Sequence, residues 1–174
     1  FSSLKLKKLI EGLLEHSKTD EFINESKTEV DLSLLVAEIK SHYSGTTSGL
    51  SITLKTELYS VKVNQTILYH VLLNLVSNAV KYNDKNKTVI EIGASENERF
   101  YSFYVKDNGP GIDPKFQKDI FDIFRIVTPK DRYGVSGNGI GLATVKKLIE
   151  NSGGTIQVES EIGKGATFMF TLEK

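Results

Sequence analysis

The chain has 174 residues, enough for one domain with a real core. Its 22 Lys plus Arg balance 22 Asp plus Glu, so no global field draws it to nucleic acid or an anionic membrane. Without cysteine it has neither a disulfide framework nor a thiolate metal site, and no apolar run approaches the roughly 20 residues that span a bilayer.

Phe1 is not an initiator methionine and no signal-peptide pattern precedes the first polar helix, so a cytoplasmic-type domain cut from a longer polypeptide is expected. Residues 1 to about 17 place Leu4, Leu6, Leu9, Ile10, Leu13 and Leu14 on one apolar seam among charges, a helical pattern. Lys18 to Lys27 is polar and turn-prone, a linker. Asp31 suits the N-cap of a helix to about Tyr43, ended by Gly45 to Gly49. Ile52 and Leu54 alternate with polar residues as in a strand, and Asn64 can cap a long helix to about Asn83. Two strands follow, Thr88 to Ala94 and Arg99 to Lys106. In the second, Tyr101, Phe103 and Val105 share a face, and Asp107 continues their parity. Asp113-Pro114 predicts a short helix. Residues 125 to 138 lack sustained periodicity and read as a mobile loop. A helix from about Gly139 to Asn151 stops at Gly153-Gly154, and strands Thr155 to Ser160 and Ala166 to Leu172 close the chain. With no βαβ rhythm, an α+β fold is expected: a mixed, mostly antiparallel sheet with helices on one face, a two-layer sandwich.

The long helix carries the chemistry. At 100° per residue, His70, Asn74, Asn78 and Lys81 fall within roughly 80° of one another, opposite Leu68, Val71, Leu72, Leu75, Val76 and Ala79. Two amides and a cation in a row suit an anion and its metal better than plain solvation. Magnesium takes hard oxygen ligands and keeps several waters, so the Asn78 amide oxygen, supported by Asn74, fits it, while Lys81 can reach phosphate. Glycines 109, 111, 137, 139 and 141 allow close backbone approach, and Gly139 to Leu142 opens a helix whose N-terminus attracts anions. Asp107, at a strand end on the buried parity, suits a donor such as the exocyclic amine of adenine. Guanine presents a carbonyl there, so ATP over GTP is expected. No G-x-x-x-x-G-K-[ST] occurs, and Gly137-x-Gly139-x-Gly141 lacks the dinucleotide spacing and follows a polar loop.

The ordered set Asn74…Asn78-Ala-Val-Lys81-Tyr82, Asp107-Asn108-Gly109-Pro110-Gly111-Ile112, Phe121-x-x-Phe124 and Gly137-x-Gly139-Ile140-Gly141-Leu142 resembles the catalytic and ATP-binding domain of bacterial sensor histidine kinases. That family shares a superfamily with DNA gyrase, mismatch-repair ATPases and a chaperone class. The resemblance implies a Bergerat-type ATP-binding fold over residues 27–174, with residues 1–26 as the end of a dimerisation helix and a linker. It implies ATP and Mg2+ as cofactors, with Asn78 and Asn74 at the metal, Lys81 and Tyr82 near phosphate and ribose, and Asp107 reading adenine. Gly109, Gly111 and Ile112 would shape the purine pocket. Residues 125 to 138, with Lys130, would form a lid over the triphosphate, running into Gly137, Gly139, Ile140, Gly141 and Leu142. Thr167, in the Gly163-Lys164-Gly165-Ala166-Thr167 turn, would close the adenine side. Arg125 is the expected phosphate contact, with Lys130 and Arg132 as rivals.

The resemblance further implies γ-phosphoryl transfer to a histidine on an upstream hairpin, a homodimer, and a response-regulator receiver domain as partner, with no nucleic acid. His70 stands where such kinases often carry an acidic residue or glutamine. Neither His16 nor His42 lies in an acceptor motif. The alternative is an ATP-hydrolysing or nucleotide-sensing module of the same superfamily.

Overall fold

The computed structural model describes residue 10 and residues 21–45, 49–127, 131–135 and 137–174. Most of the expected N-terminal helix, His16 and Lys130 lie outside the described residues.

Among the described residues seven strands and three helices follow in the order β1 (Thr28–Asp31), α1 (Leu32–Ser41), β2 (Leu50–Thr56), β3 (Ser60–Val63), α2 (Gln65–Tyr82), β4 (Thr88–Glu96), β5 (Phe100–Asp107), α3 (Gly141–Asn151), β6 (Ile156–Glu161) and β7 (Gly165–Glu173). The main sheet has the order β2-β4-β5-β7-β6, with β2 and β4 parallel and every other pair antiparallel. The parallel pair is possible because β3 and α2 supply the crossover between β2 and β4. The helices cover one face of this sheet, as expected.

Strand alternation explains the layering. Phe103 and Val105 of β5, Phe168, Phe170 and Leu172 of β7, and Ile90 and Ile92 of β4 are buried. They meet Leu68, Leu72, Leu75 and Val76 of α2 and Val145, Leu148 and Ile149 of α3 in one core. Phe103 and Phe170 are direct cross-strand partners with stacked rings 5.0 Å apart. On the outer face Tyr104 lies across β4. A Cβ on its partner Gly93 would come 1.9 Å from the ring, so only glycine fits there. Both caps are as expected. Asp31 accepts from Leu34 N–H (2.9 Å), and Asn64 accepts from Ile67 N–H (3.0 Å).

One element is added and one expectation is corrected. After the polar stretch that ends at Lys27 comes β1, which pairs with β3 in a separate two-stranded sheet that the sequence did not announce. The segment after Asp113 is a run of turns, not a helix. Gln117 explains the difference: its amide donates to Ile112 O and Ser160 O (2.9 Å each), which fastens the segment to the end of β6. These tertiary bonds and the burial of Ile120 fix the path that local propensity would have coiled. Among the described residues no helix is long and apolar enough to cross a membrane.

Candidate functional site

The polar ridge of α2 faces the start of α3. Asn74 donates from Nδ2 to its own helix at His70 O (3.0 Å), which turns its Oδ1 outward. A Cβ on Gly141, the first residue of α3, would lie 3.0 Å from that oxygen. The bare glycine therefore leaves room between the two helices. Among the described residues no side chain caps α3: Ile140 occupies the N-cap position and is itself only 2 % exposed. Its contribution to a ligand is confined to the main chain, and the helix opens with N–H groups available to an anion.

One turn on, Asn78 is part-buried on the same ridge. Further along, Tyr82 is half-buried with its hydroxyl against Gly137, where a Cβ would come within 2.5 Å of it. Burial and the neighbouring Asp131 push the phenol above its ordinary range. The 131–135 segment joins here: Arg132 N–H donates to Lys81 O (2.8 Å), so the described part of the expected lid runs beside the C-terminal turn of α2.

Asp107 marks the other end of the site, where the β4–β5 ladder stops at the Ile90–Asp107 pair. Its Oδ1 accepts from Gly109 N–H (2.8 Å) and Ala166 N–H (3.3 Å), while no described residue bonds Oδ2. Burial raises its pKa, and the two backbone donors oppose that rise. A carboxylate with one oxygen fixed and one left over is set up to accept from a ligand. The surrounding backbone is tight. A Cβ on Gly165 (φ +90°) would lie 2.0 Å from Asp107 O, and one on Gly111 (φ +75°) 2.1 Å from Glu161 O. Thr167 pairs with Lys106 beside this turn, and Ile112 donates its N–H to Ser160 Oγ (2.8 Å).

Neither Arg125 nor Arg132 stands free. Arg125 pairs with Asp119 (3.2 Å) and lies 5.3 Å over the Phe116 ring. Arg132 donates to Thr88 Oγ1 (3.0 Å) and Lys85 O (3.3 Å), at the foot of α2. The Arg125 pair is half-exposed and therefore weak, so it can be released at little cost. His70 is directed elsewhere: its ring stacks on Phe22 at 4.8 Å. It borders a cavity of about 630 Å³ that also touches Glu25, Glu38, Gln65 and Tyr69 but none of Asn74, Asn78 or Lys81. His42 bonds the Tyr69 hydroxyl through Nε2 (2.8 Å).

The structure also reveals residues that sequence reasoning passed over. Asn83, only 2 % exposed, donates from Nδ2 to Asn108 Oδ1 (2.9 Å) and joins the end of α2 to the turn after Asp107. A run of Asn-Asp-Lys-Asn looks like any polar turn, so only the fold exposes this link. Phe124 adopts a left-handed φ of 66° and donates its N–H to Gly139 O (2.8 Å), fixing the phenylalanine pair against the second glycine cluster. Among the described residues no cluster of three or more His, Cys, Asp or Glu could cage a metal. The oxygen donors on the ridge are amides, a set that suits a hard cation held chiefly by ligand phosphates.

Known proteins with similar sequences and structures extend this picture. The chain is 38 % identical over 172 residues to cyanobacterial phytochrome B of Nostoc sp., covering 97 % of this chain and 23 % of that protein. It is 33 % identical over 178 residues to the sensor protein SrrB of Staphylococcus aureus, covering 99 % of this chain and 30 % of that one. The chain thus spans about a quarter to a third of these relatives. A crystal structure of full-length ShkA in complex with AMPPNP superposes with a TM-score of 0.78 at 28 % identity, covering 96 % of this chain and 35 % of ShkA. The family model described as histidine kinase-, DNA gyrase B- and HSP90-like ATPase matches residues 63–174, about two thirds of the sequence, and the chain belongs to that family.

Proposed function

We propose that this chain is the Mg-ATP-binding catalytic domain of a sensor histidine kinase, residues 27–174, which passes the γ-phosphoryl group to a histidine on an upstream helical hairpin of a homodimer. The observation that carries this reading is the pairing of Asp107, with one carboxylate oxygen left over, and the amide ridge of α2 facing an uncapped helix start. Asp107 Oδ2 accepts from the adenine amine. Gly109, Gly111, Ile112 and Thr167 enclose the purine, and Tyr82 lies by the ribose. Lys81 and the main-chain N–H groups of the Gly139-Ile140-Gly141-Leu142 approach to α3, chiefly those of Gly141 and Leu142 since Ile140 N–H already donates to Asn138 Oδ1 (3.2 Å), hold phosphate oxygens. Arg125, exchanging Asp119 for the triphosphate, is the cationic contact from the lid, which Lys130 and Gly137 complete.

Magnesium bound through Asn78, with Asn74 beside it, would neutralise charge on the phosphates as transfer proceeds. The chain itself positions and screens. The attacking imidazole nitrogen forms its bond to the γ-phosphorus as the bond to the ADP oxygen breaks, and the imidazole proton is lost. A response-regulator receiver domain is the proposed next acceptor. Hydrolysis of ATP as the primary reaction is the poorer reading, because α2 carries no carboxylate to activate water and His70 is stacked on Phe22.

The test combines the chain with labelled ATP and a separately prepared acceptor hairpin. Label retained on histidine, stable to alkali and lost in acid, is expected. Release of inorganic phosphate without labelled hairpin would refute the transfer and favour hydrolysis.

A further inference from the structure

We propose that Asn83 is a positioning residue, which fixes the distance between the adenine-reading carboxylate of Asp107 and the phosphate-binding ridge of α2; this rests on the nucleotide reading above. Asn83 directly follows the last residue of α2, and its side chain works in two directions. Its Oδ1 accepts from Lys85 N–H (2.8 Å) and closes the turn out of the helix, while its Nδ2 donates to Asn108 Oδ1 (2.9 Å).

Asn108 in turn mimics a strand residue. Its Oδ1 also accepts from Val89 N–H (2.9 Å), its Nδ2 donates to Lys87 O (2.9 Å), and its backbone N–H donates to Val89 O (3.3 Å). These bonds extend the β4–β5 ladder one residue past Asp107 through a side chain. Three segments meet at this clasp: the end of α2, the start of β4 and the end of β5. The Asn83 amide also abuts Gly109, where a Cβ would lie 3.6 Å from Nδ2, and Gly109 N–H is one of the two donors that orient Asp107.

A nucleoside triphosphate engages both ends of this arrangement at once. Its second contact is intramolecular after the first, and the gain depends on how rigidly the protein holds the two ends apart. Adenosine engages the Asp107 end alone. Loss of the clasp therefore penalises ATP more than adenosine. It does not orphan a buried acceptor, because Asn108 Oδ1 keeps Val89 N–H, so the fold survives.

Calorimetric titration of the full chain with ATP and with adenosine tests this. In Asn83→Ala, ATP affinity is expected to fall on the order of tenfold, within the usual range of coupling energies, while adenosine affinity changes by less than about twofold. Isosteric Asn83→Asp keeps the Lys85 acceptor but sets oxygen against Asn108 Oδ1, and is expected to match the alanine variant. Should alanine fold poorly, Asn83→Ser carries the same test, since it retains an acceptor near Lys85 and lacks the reach to Asn108. Equal losses for ATP and adenosine, or no loss for either, overturn the positioning role while leaving the nucleotide site intact. A wild-type chain that binds neither ligand overturns both readings together.

Discussion

In its proposed role Asp107 sets stability against binding. Burial holds its carboxyl above the ordinary 3.8, against the help of the Gly109 and Ala166 N–H groups. On acidification the free protein takes up this proton earlier than an exposed aspartate would. The neutral acid is a poor partner for an amine, so ATP affinity should weaken as pH falls through the raised value. The stability linkage has the opposite sign. The native state binds the proton more tightly than the unfolded chain does, so this group's contribution declines as pH rises through the same window and stays unfavourable at neutral pH. Asp107→Asn should therefore be more stable than wild type at pH 7, since an amide oxygen can still accept from Gly109 and Ala166. Its amide nitrogen would face the adenine amine donor to donor and a guanine carbonyl donor to acceptor. A loss of about 10- to 150-fold in ATP affinity is expected, the equivalent of about 1.5–3 kcal/mol, with GTP gaining relative to ATP. Titrations with both nucleotides across pH check it: unchanged ATP preference would remove Asp107 from adenine recognition.

At the scale of the element, α2 has a buried apolar face and a polar ridge to which the proposed function assigns binding. Leu72 is fully buried and Asn78 is on the ridge, so substitutions at the two positions should separate stability from binding. Leu72→Ala should cost about 2–5 kcal/mol in denaturant unfolding while the folded variant keeps its nucleotide affinity. Asn78→Ala should change stability by no more than about 0.5 kcal/mol, yet lose magnesium-dependent ATP binding. The buried face of α2 was legible in the sequence because its apolar residues keep a consistent 3.6-residue period over eighteen residues. The strands β1 and β3 were not, because each has four residues and buries only Val30 or the pair Val61 and Val63. Asp107 could be placed by strand parity, but its orientation could not, since Ala166 lies 59 residues away. Asn83 and the turns after Asp113 escaped for the same reason: each is fixed by a partner distant in sequence, Asn108 or Ser160.

Across the whole molecule, the proposed adenine end belongs to the sheet and the proposed phosphate end to the helical layer. A ligand that bridges them should resist unfolding as a unit. At a free concentration of about 100 times the dissociation constant, binding to the native state alone adds about 2.7 kcal/mol. For a domain near this size each kcal/mol raises Tm by about 2–4 °C, so Mg-ATP should lift the midpoint by about 5–11 °C. Removal of magnesium with EDTA should cancel a large part of that rise in the wild type. In Asn78→Ala the rise should already be small, and EDTA should then take away little more. Equal sensitivity to EDTA in wild type and variant would mean that the cation is held by other groups, and the assignment of Asn78 would fall while Asp107 and the purine end stood.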